Sequence, residues 1–115
     1  MLIEIFEFTP RQGREDDYFA HAEALRAAVA DIEGFLGVER YESVTTPGRF
    51  VSVSRWADED AIRRWRNHPA HRAAQRAARE GIFADYRITV AEVVRDYTMT
   101  RRNETPADSR TALGG

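Results

Sequence analysis

The run Arg64-Trp65-Arg66-Asn67-His68-Pro69-Ala70-His71 places two of the chain's 3 histidines three positions apart, behind a tryptophan and around a proline. Such a pair suits three roles. Neutral imidazoles ligate zinc or iron, and an imidazole also titrates near neutrality and can exchange a proton with a phenol-like substrate. In the third role both are solvated or capping side chains on a helix. A catalytic metal usually needs a third protein ligand, and the remaining histidine, His21, has no sequence link to the pair. Arg64, Arg66 and Arg72 also surround the pair with positive charge that opposes a divalent cation, so no metal is expected. Acid–base work survives this test, with His71 or His68 at a helix start beside a pocket. Trp65, one turn before His68, is then either an aromatic wall of that pocket or part of the core.

Composition removes other chemistries. The chain has no cysteine, hence no disulfide, thiolate nucleophile, iron–sulfur cluster or cysteine-bound zinc. Redox chemistry must come from a bound cofactor, a metal held by other ligands, or the substrate itself. Gly34, Gly37, Gly48 and Gly81 are isolated and form no phosphate-cradling loop, and no serine sits in a Gly-x-Ser-x-Gly elbow. The 17 basic and 19 acidic residues are interspersed, which leaves no basic field for a nucleic-acid backbone. MLIEIFEFTP carries acids inside its apolar run, and nowhere do 18 apolar residues occur together, so no membrane partner is expected. The expectation is a soluble, cytoplasmic protein.

The elements that must position these residues follow from periodicity. LIEIFEFT is apolar on both parities and stops at Pro10, which predicts a central strand. From Glu15, residues Tyr18, Ala22, Leu25, Val29 and Ile32 fall on one helical stripe that Gly34 ends. GFLGVERYESV sets Phe35, Gly37, Glu39 and Tyr41 against Leu36, Val38 and Arg40; TTPG then turns into RFVSVSRW, which predicts a hairpin. Asp58 is the N-cap of a helix carrying Ile62 and Trp65, and Pro69 breaks that helix at Asn67–His68 or opens a second one. The Ala-rich piece runs to Gly81, and a last long strand follows, YRITVAEVVRDY.

The order β–α–β, β–α–β predicts an α+β, ferredoxin-like (split βαβ) domain over residues 1–97 with a four-stranded antiparallel sheet and both helices on one face. The sheet's other face is still substantially apolar, which predicts a homodimer joined sheet to sheet, a dimeric α/β-barrel-type assembly. Residues 98–115 are polar and small and are expected to be a flexible tail.

The runs EGFLGVERYES, RFVSVSRWADEDAIRRWRNHPAHRAAQ and FADYRITVAEVVRDY resemble the antibiotic biosynthesis monooxygenase family, above all in Trp56, Glu59, Ala61, Trp65, Pro69 and His71 at their spacings. The resemblance implies a dimer with a pocket in each subunit between sheet and helices. It also implies one of several chemistries: oxidation of aromatic polyketides by O₂ without a cofactor, haem binding and degradation, or quinol oxidation or sensing. Trp65 matches the pocket tryptophan of the cofactor-free oxidases, whose asparagine one turn earlier is Ala61 here and whose tyrosine falls near His71. The haem degraders' ligand position is Gln75, a poor iron ligand, and their strand-one asparagine falls near Phe6. The expectation is a monooxygenase that oxidises a small aromatic or quinol-like molecule with O₂ and without a prosthetic group. His71, His68 and Trp65 would be the catalytic cluster, with Phe6 and Trp65 holding the substrate. The alternative is a non-catalytic dimeric module that binds a hydrophobic metabolite or haem.

Overall fold

The computed structural model describes residues 1–114. Its strands are β1 (Leu2–Pro10), β2 (Phe35–Glu42), β3 (Phe50–Trp56) and β4 (Phe83–Glu92), and its helices are α1 (Glu15–Ala30), α2 (Glu59–Arg66), α3 (Pro69–Ala77) and α4 (Ala107–Leu113). The strands form one antiparallel sheet in the order β2-β3-β1-β4, which is the ferredoxin-like fold. β1 is central, as its apolar residues on both parities require. In register, Leu2 faces Trp56 and Phe8 faces Phe50, and these residues point toward the helices. Ile3 and Ile5 point to the other face together with Val51 and Val53.

The core sits where α1 and α2 meet the β1–β3 end of the sheet. Trp56, Ala61, Ile62 and Trp65 form its buried centre, and Leu25, Val29 and Ile32 from the α1 stripe pack against it with Leu2 and Phe35. Gly34 makes this approach possible. Its φ is +89°, and a Cβ there would stand 2.7 Å from the Ala61 Cβ. Asp58 caps α2 by accepting from the Ala61 N–H at 2.9 Å. Both readings of Pro69 hold together: α2 ends at Arg66, and α3 begins with Pro69 at its first position behind His68 as N-cap.

Two local expectations need correction. Alternation alone predicts Phe35 on the face of Gly37, Glu39 and Tyr41, but Phe35 pairs with Trp56 and Gly37 with Arg55, leaving Leu36 as an extra residue. The bulge lets the Phe35 ring pack 5.2 Å from Trp56, and Gly37, at φ +141°, absorbs the irregularity. The last strand also begins before the alternating run. A π-turn over Ala78–Ile82, closed by Gly81 at φ +110°, delivers Phe83 opposite Pro10 and into contact with Phe6 and Phe8.

The segment after Tyr97, expected as a flexible tail, has local order of its own. Asp96 and Arg101 pair at 2.9 Å, and the Thr98 hydroxyl accepts from the Arg101 N–H at 2.8 Å. Arg110, in α4, donates to the carbonyls of Arg102 and Asn103 at 2.7 and 3.0 Å. These bonds are polar and local, which is why apolar periodicity gave no sign of them. α4 makes no substantial packing with any other element. Accordingly the radius of gyration is 16.8 Å, against about 13 Å for a compact domain of this length. No helix among the described residues is long and apolar enough to cross a membrane.

Candidate functional site

Trp65 belongs to both readings that its spacing allowed. It is 8% exposed and packs in the core, and its ring also carries the two imidazoles. His71 lies 4.8 Å away between centroids at an interplanar angle of 28°, and His68 lies 5.5 Å away at 35°. The break at Asn67 makes this possible, because Pro69 restarts the helix so that His71 folds back over α2.

The two histidines do different things. His68 is the N-cap of α3, and its Nδ1 accepts from the Ala70 N–H at 3.1 Å, which fulfils the capping role considered for it. His71 is half-buried, and its Nδ1 lies 3.2 Å from Gln75 Nε2. Gln75 Oε1 already accepts from Arg72 at 3.1 Å, so the amide N–H is what faces the imidazole. Burial pushes the His71 pKa below its ordinary value; a hydrogen bond with the Arg66 backbone opposes that shift, while the charges of Arg72 and His68 add to it. The lowered pKa favours the neutral imidazole, whose Nδ1 lone pair faces the Gln75 amide.

Phe6 is placed elsewhere. Its ring neighbours are Phe8 at 4.9 Å, Phe83 at 5.5 Å and Tyr86 at 5.9 Å, an aromatic cluster at the β1–β4 side of the sheet that is distinct from the Trp65–histidine stack. His71, His68 and Trp65 come together; Phe6 shares their side of the sheet without touching them. Between the two groups lies a polar stripe that the spacing of the histidines could not reveal. Glu4 points toward the helices from β1, in register with Ser54 and Val90. Its carboxyl pKa is pushed up by burial, while the Arg66 guanidinium works in the opposite direction. The sequence did carry a signal, because Glu4 shares a parity with Leu2, Phe6 and Phe8.

The same face is open beside this stripe. Tyr86, Ile88 and Val90 pair with Phe8, Phe6 and Glu4 and so lie on the helix side, yet they are 55%, 55% and 46% exposed. α2 and α3 do not extend over β4, and the result is an apolar shelf next to Glu4 and Phe6. Among the described residues no three histidine, aspartate or glutamate side chains gather as a metal set. For haem, His68 and His71 are the nitrogen donors at hand, and each has its Nδ1 already engaged.

The chain matches the sequence profile of the family described as antibiotic biosynthesis monooxygenase over residues 1–77. It is 39% identical over 93 residues to the jasmonate monooxygenase of Pyricularia oryzae, covering 81% of this chain and only 43% of that longer protein. Among solved structures, a Mycobacterium tuberculosis protein superposes with a TM-score of 0.75 at 20% identity, covering 84% of this chain and 98% of that one. SnoaB of Streptomyces nogalater, a cofactor-independent oxygenase, superposes with a TM-score of 0.71 at 17% identity, covering 83% and 94%. The structural likenesses carry the fold, and the profile match over most of the domain carries the membership: this chain belongs to the antibiotic biosynthesis monooxygenase family.

Proposed function

We propose that the protein is a cofactor-free monooxygenase, working as a cytoplasmic homodimer, that oxidises a hydrophobic small molecule bearing a phenolic or enolisable proton. Aromatic and quinol-like molecules are the first class to consider. The observation that carries this reading is the half-buried His71, with its pKa lowered by burial, stacked on Trp65 on the same side of the sheet as an uncovered apolar shelf. In this mechanism the Gln75 amide gives way to substrate, His71 Nδ1 receives the acidic proton, and the resulting carbanion or enolate gives electrons to O₂. For an anthrone-like methylene the balance is CH₂ + O₂ → C=O + H₂O: the carbon supplies four electrons, one oxygen atom stays in the product and the other leaves as water. Glu4, in the same stripe and more readily protonated than an ordinary carboxyl, is the second group able to hold a proton. Phe6, Ile88 and Val90 form the apolar surface on which the ring rests. The jasmonate oxidised by the Pyricularia oryzae relative belongs in the substrate panel. Oxygen uptake with anthrone, hydroquinone and jasmonate tests the proposal, with His71→Ala expected to lose roughly 100-fold or more in kcat/KM. Equal uptake by parent and variant removes His71 from the mechanism.

A second reading has its own support. Ala61 is fully buried against the Gly34 turn, leaving no space for the asparagine amide of the aromatic oxidases. A binding module for a hydrophobic metabolite, or for haem, needs no such amide. Ligands that raise the melting temperature and are recovered unchanged favour it, since binding to the native state stabilises by mass action.

A further inference from the structure

Resting on this assignment of the site, we infer that its ligand is an organic anion, a hydrophobic carboxylic acid whose carboxylate docks on Arg72 while its carbon body lies on the apolar β4 shelf. The charge pattern is the first support. From residue 61 to 79 the chain carries Arg63, Arg64, Arg66, Arg72, Arg76 and Arg79 and no carboxylate at all. This stretch of an otherwise balanced chain is also the stretch that holds Trp65, His68 and His71.

Among the four arginines that flank the two histidines, Arg63, Arg64, Arg66 and Arg72, the hydrogen bonds set one apart. Arg63 is neutralised by Asp60 at 2.6 Å, and Arg64 is drawn away to the Glu33 carbonyl at 2.9 Å. Arg66 acts on Glu4. Arg72 is different, because it is held at two points by uncharged groups, the Asn67 side-chain oxygen at 2.6 Å and the Gln75 oxygen at 3.1 Å. Its orientation is thereby fixed while its charge stays uncompensated. Gln75 in turn bonds His71, so the cation and the imidazole are linked through one amide. A rigid, unneutralised guanidinium loses little on binding a carboxylate, because its side chain is already ordered and it has no acid to release.

The apolar half is equally specific. Ile88 and Val90 are each about half exposed on the face where the helix layer stops, so an amphipathic molecule can cover them while its charged end stays at the rim. A free inorganic anion would make no use of the shelf, and a neutral ring would make no use of the guanidinium.

The test compares 2-naphthylacetate with its methyl ester, both followed by naphthyl fluorescence, on the full chain. The acid is expected to bind at least tenfold more tightly than the ester at low salt, with most of that preference lost at high salt. Arg72→Gln is expected to bring the ratio to about one, and Arg72→Lys to keep part of it, with the melting temperature of each variant showing that it is folded. If Arg72→Gln does not fold, the salt dependence of the parent and the Arg72→Lys ratio carry the same comparison. An ester that binds as tightly as the acid, an acid preference untouched by Arg72→Gln, or no saturable binding of the acid overturns the inference. The outcomes separate it from the oxygenase assignment. Oxygen uptake with a neutral anthrone by a protein that prefers the ester leaves the oxygenase standing and removes the anion. Selective acid binding without any oxygen uptake does the reverse.

Discussion

At the residue scale, His71 and Glu4 are neighbours through Arg66, and burial moves both away from their ordinary values, His71 downward and Glu4 upward. For His71 the unfolded chain binds a proton first as pH falls, so the imidazole penalises the folded state progressively below pH 6.5 and has no effect well above it. Activity that needs the neutral base follows the folded value instead, and the acid limb of kcat/KM against pH is expected below 6.5. A limb at or above the ordinary histidine value would mean that another group controls the rate. Glu4 has the opposite sign. Its raised pKa makes the folded state hold the proton longer, so its contribution is present below pH 4.5 and is lost as pH rises through the folded value. Glu4→Gln is therefore expected to raise the melting temperature, relative to the parent, more at pH 7.5 than at pH 4.5; an equal shift at both would show that the carboxyl is effectively solvated. Of these residues the sequence made the histidines and Trp65 legible through their types and spacing. For Glu4 the sequence showed only the parity it shares with Leu2, Phe6 and Phe8; its partners come from three other segments, β3, β4 and the end of α2, which no local pattern brings together.

At the element scale, the site depends on how α2 is seated. Its first turn is fixed by the Asp58 cap, and its buried face lies against the Gly34 turn, where the Ala57 N–H also donates to the Gly34 carbonyl at 2.7 Å. Gly34→Ala combines a strained positive φ with a Cβ placed 2.7 Å from Ala61, neither of which a flexible side chain can relieve. It is expected to cost about 2–4 kcal/mol by denaturant titration, and to loosen Trp65 with it. Asp58→Ala removes one hydrogen bond at a helix end and is expected to cost about 1 kcal/mol. If Gly34→Ala were as mild as Asp58→Ala, the close approach would not be what positions α2. Helices α1, α2 and α3 were readable because capping residues, glycines and a 3.6-residue stripe are local signals. The β2 bulge and the early start of β4 were not, since both are set by aromatic packing across strands, of Phe35 on Trp56 and of Phe83 on Phe6 and Phe8.

At the scale of the whole molecule, the sheet has one face without a layer. By register Ile5 and Val53 are partners at its middle with Ile3 and Val51 diagonal to them, Arg55 stands beside Ile3, Glu7 lies between Val51 and Arg87, Glu39 stands beside Val53, and Tyr41 on β2 and Ala91 on β4 add further apolar surface. A face that interleaves apolar residues with charges of both signs can pair with another protein surface. Burying about 800 Å² on each of two such faces makes an interface of standard size, to which apolar area contributes about 25 cal/mol per Å² before association costs. The proposed homodimer is therefore expected to sediment at about twice the 13.2 kDa chain mass at micromolar concentration. Val53→Glu probes the face directly. On a solvated sheet surface the substitution costs little, so the fold should survive, but at the centre of a dimer it buries an unpaired charge and should shift the protein to a monomer. Deleting residues 100–115 should leave the dimer intact, because α4 makes no substantial packing with other elements of its own chain and the apolar residues of the pairing face belong to the sheet. A parent that sediments as a compact monomer would refute the sheet-to-sheet pairing. A dimer that survives Val53→Glu but is lost with the tail would transfer the interface from the sheet to the C-terminal arm.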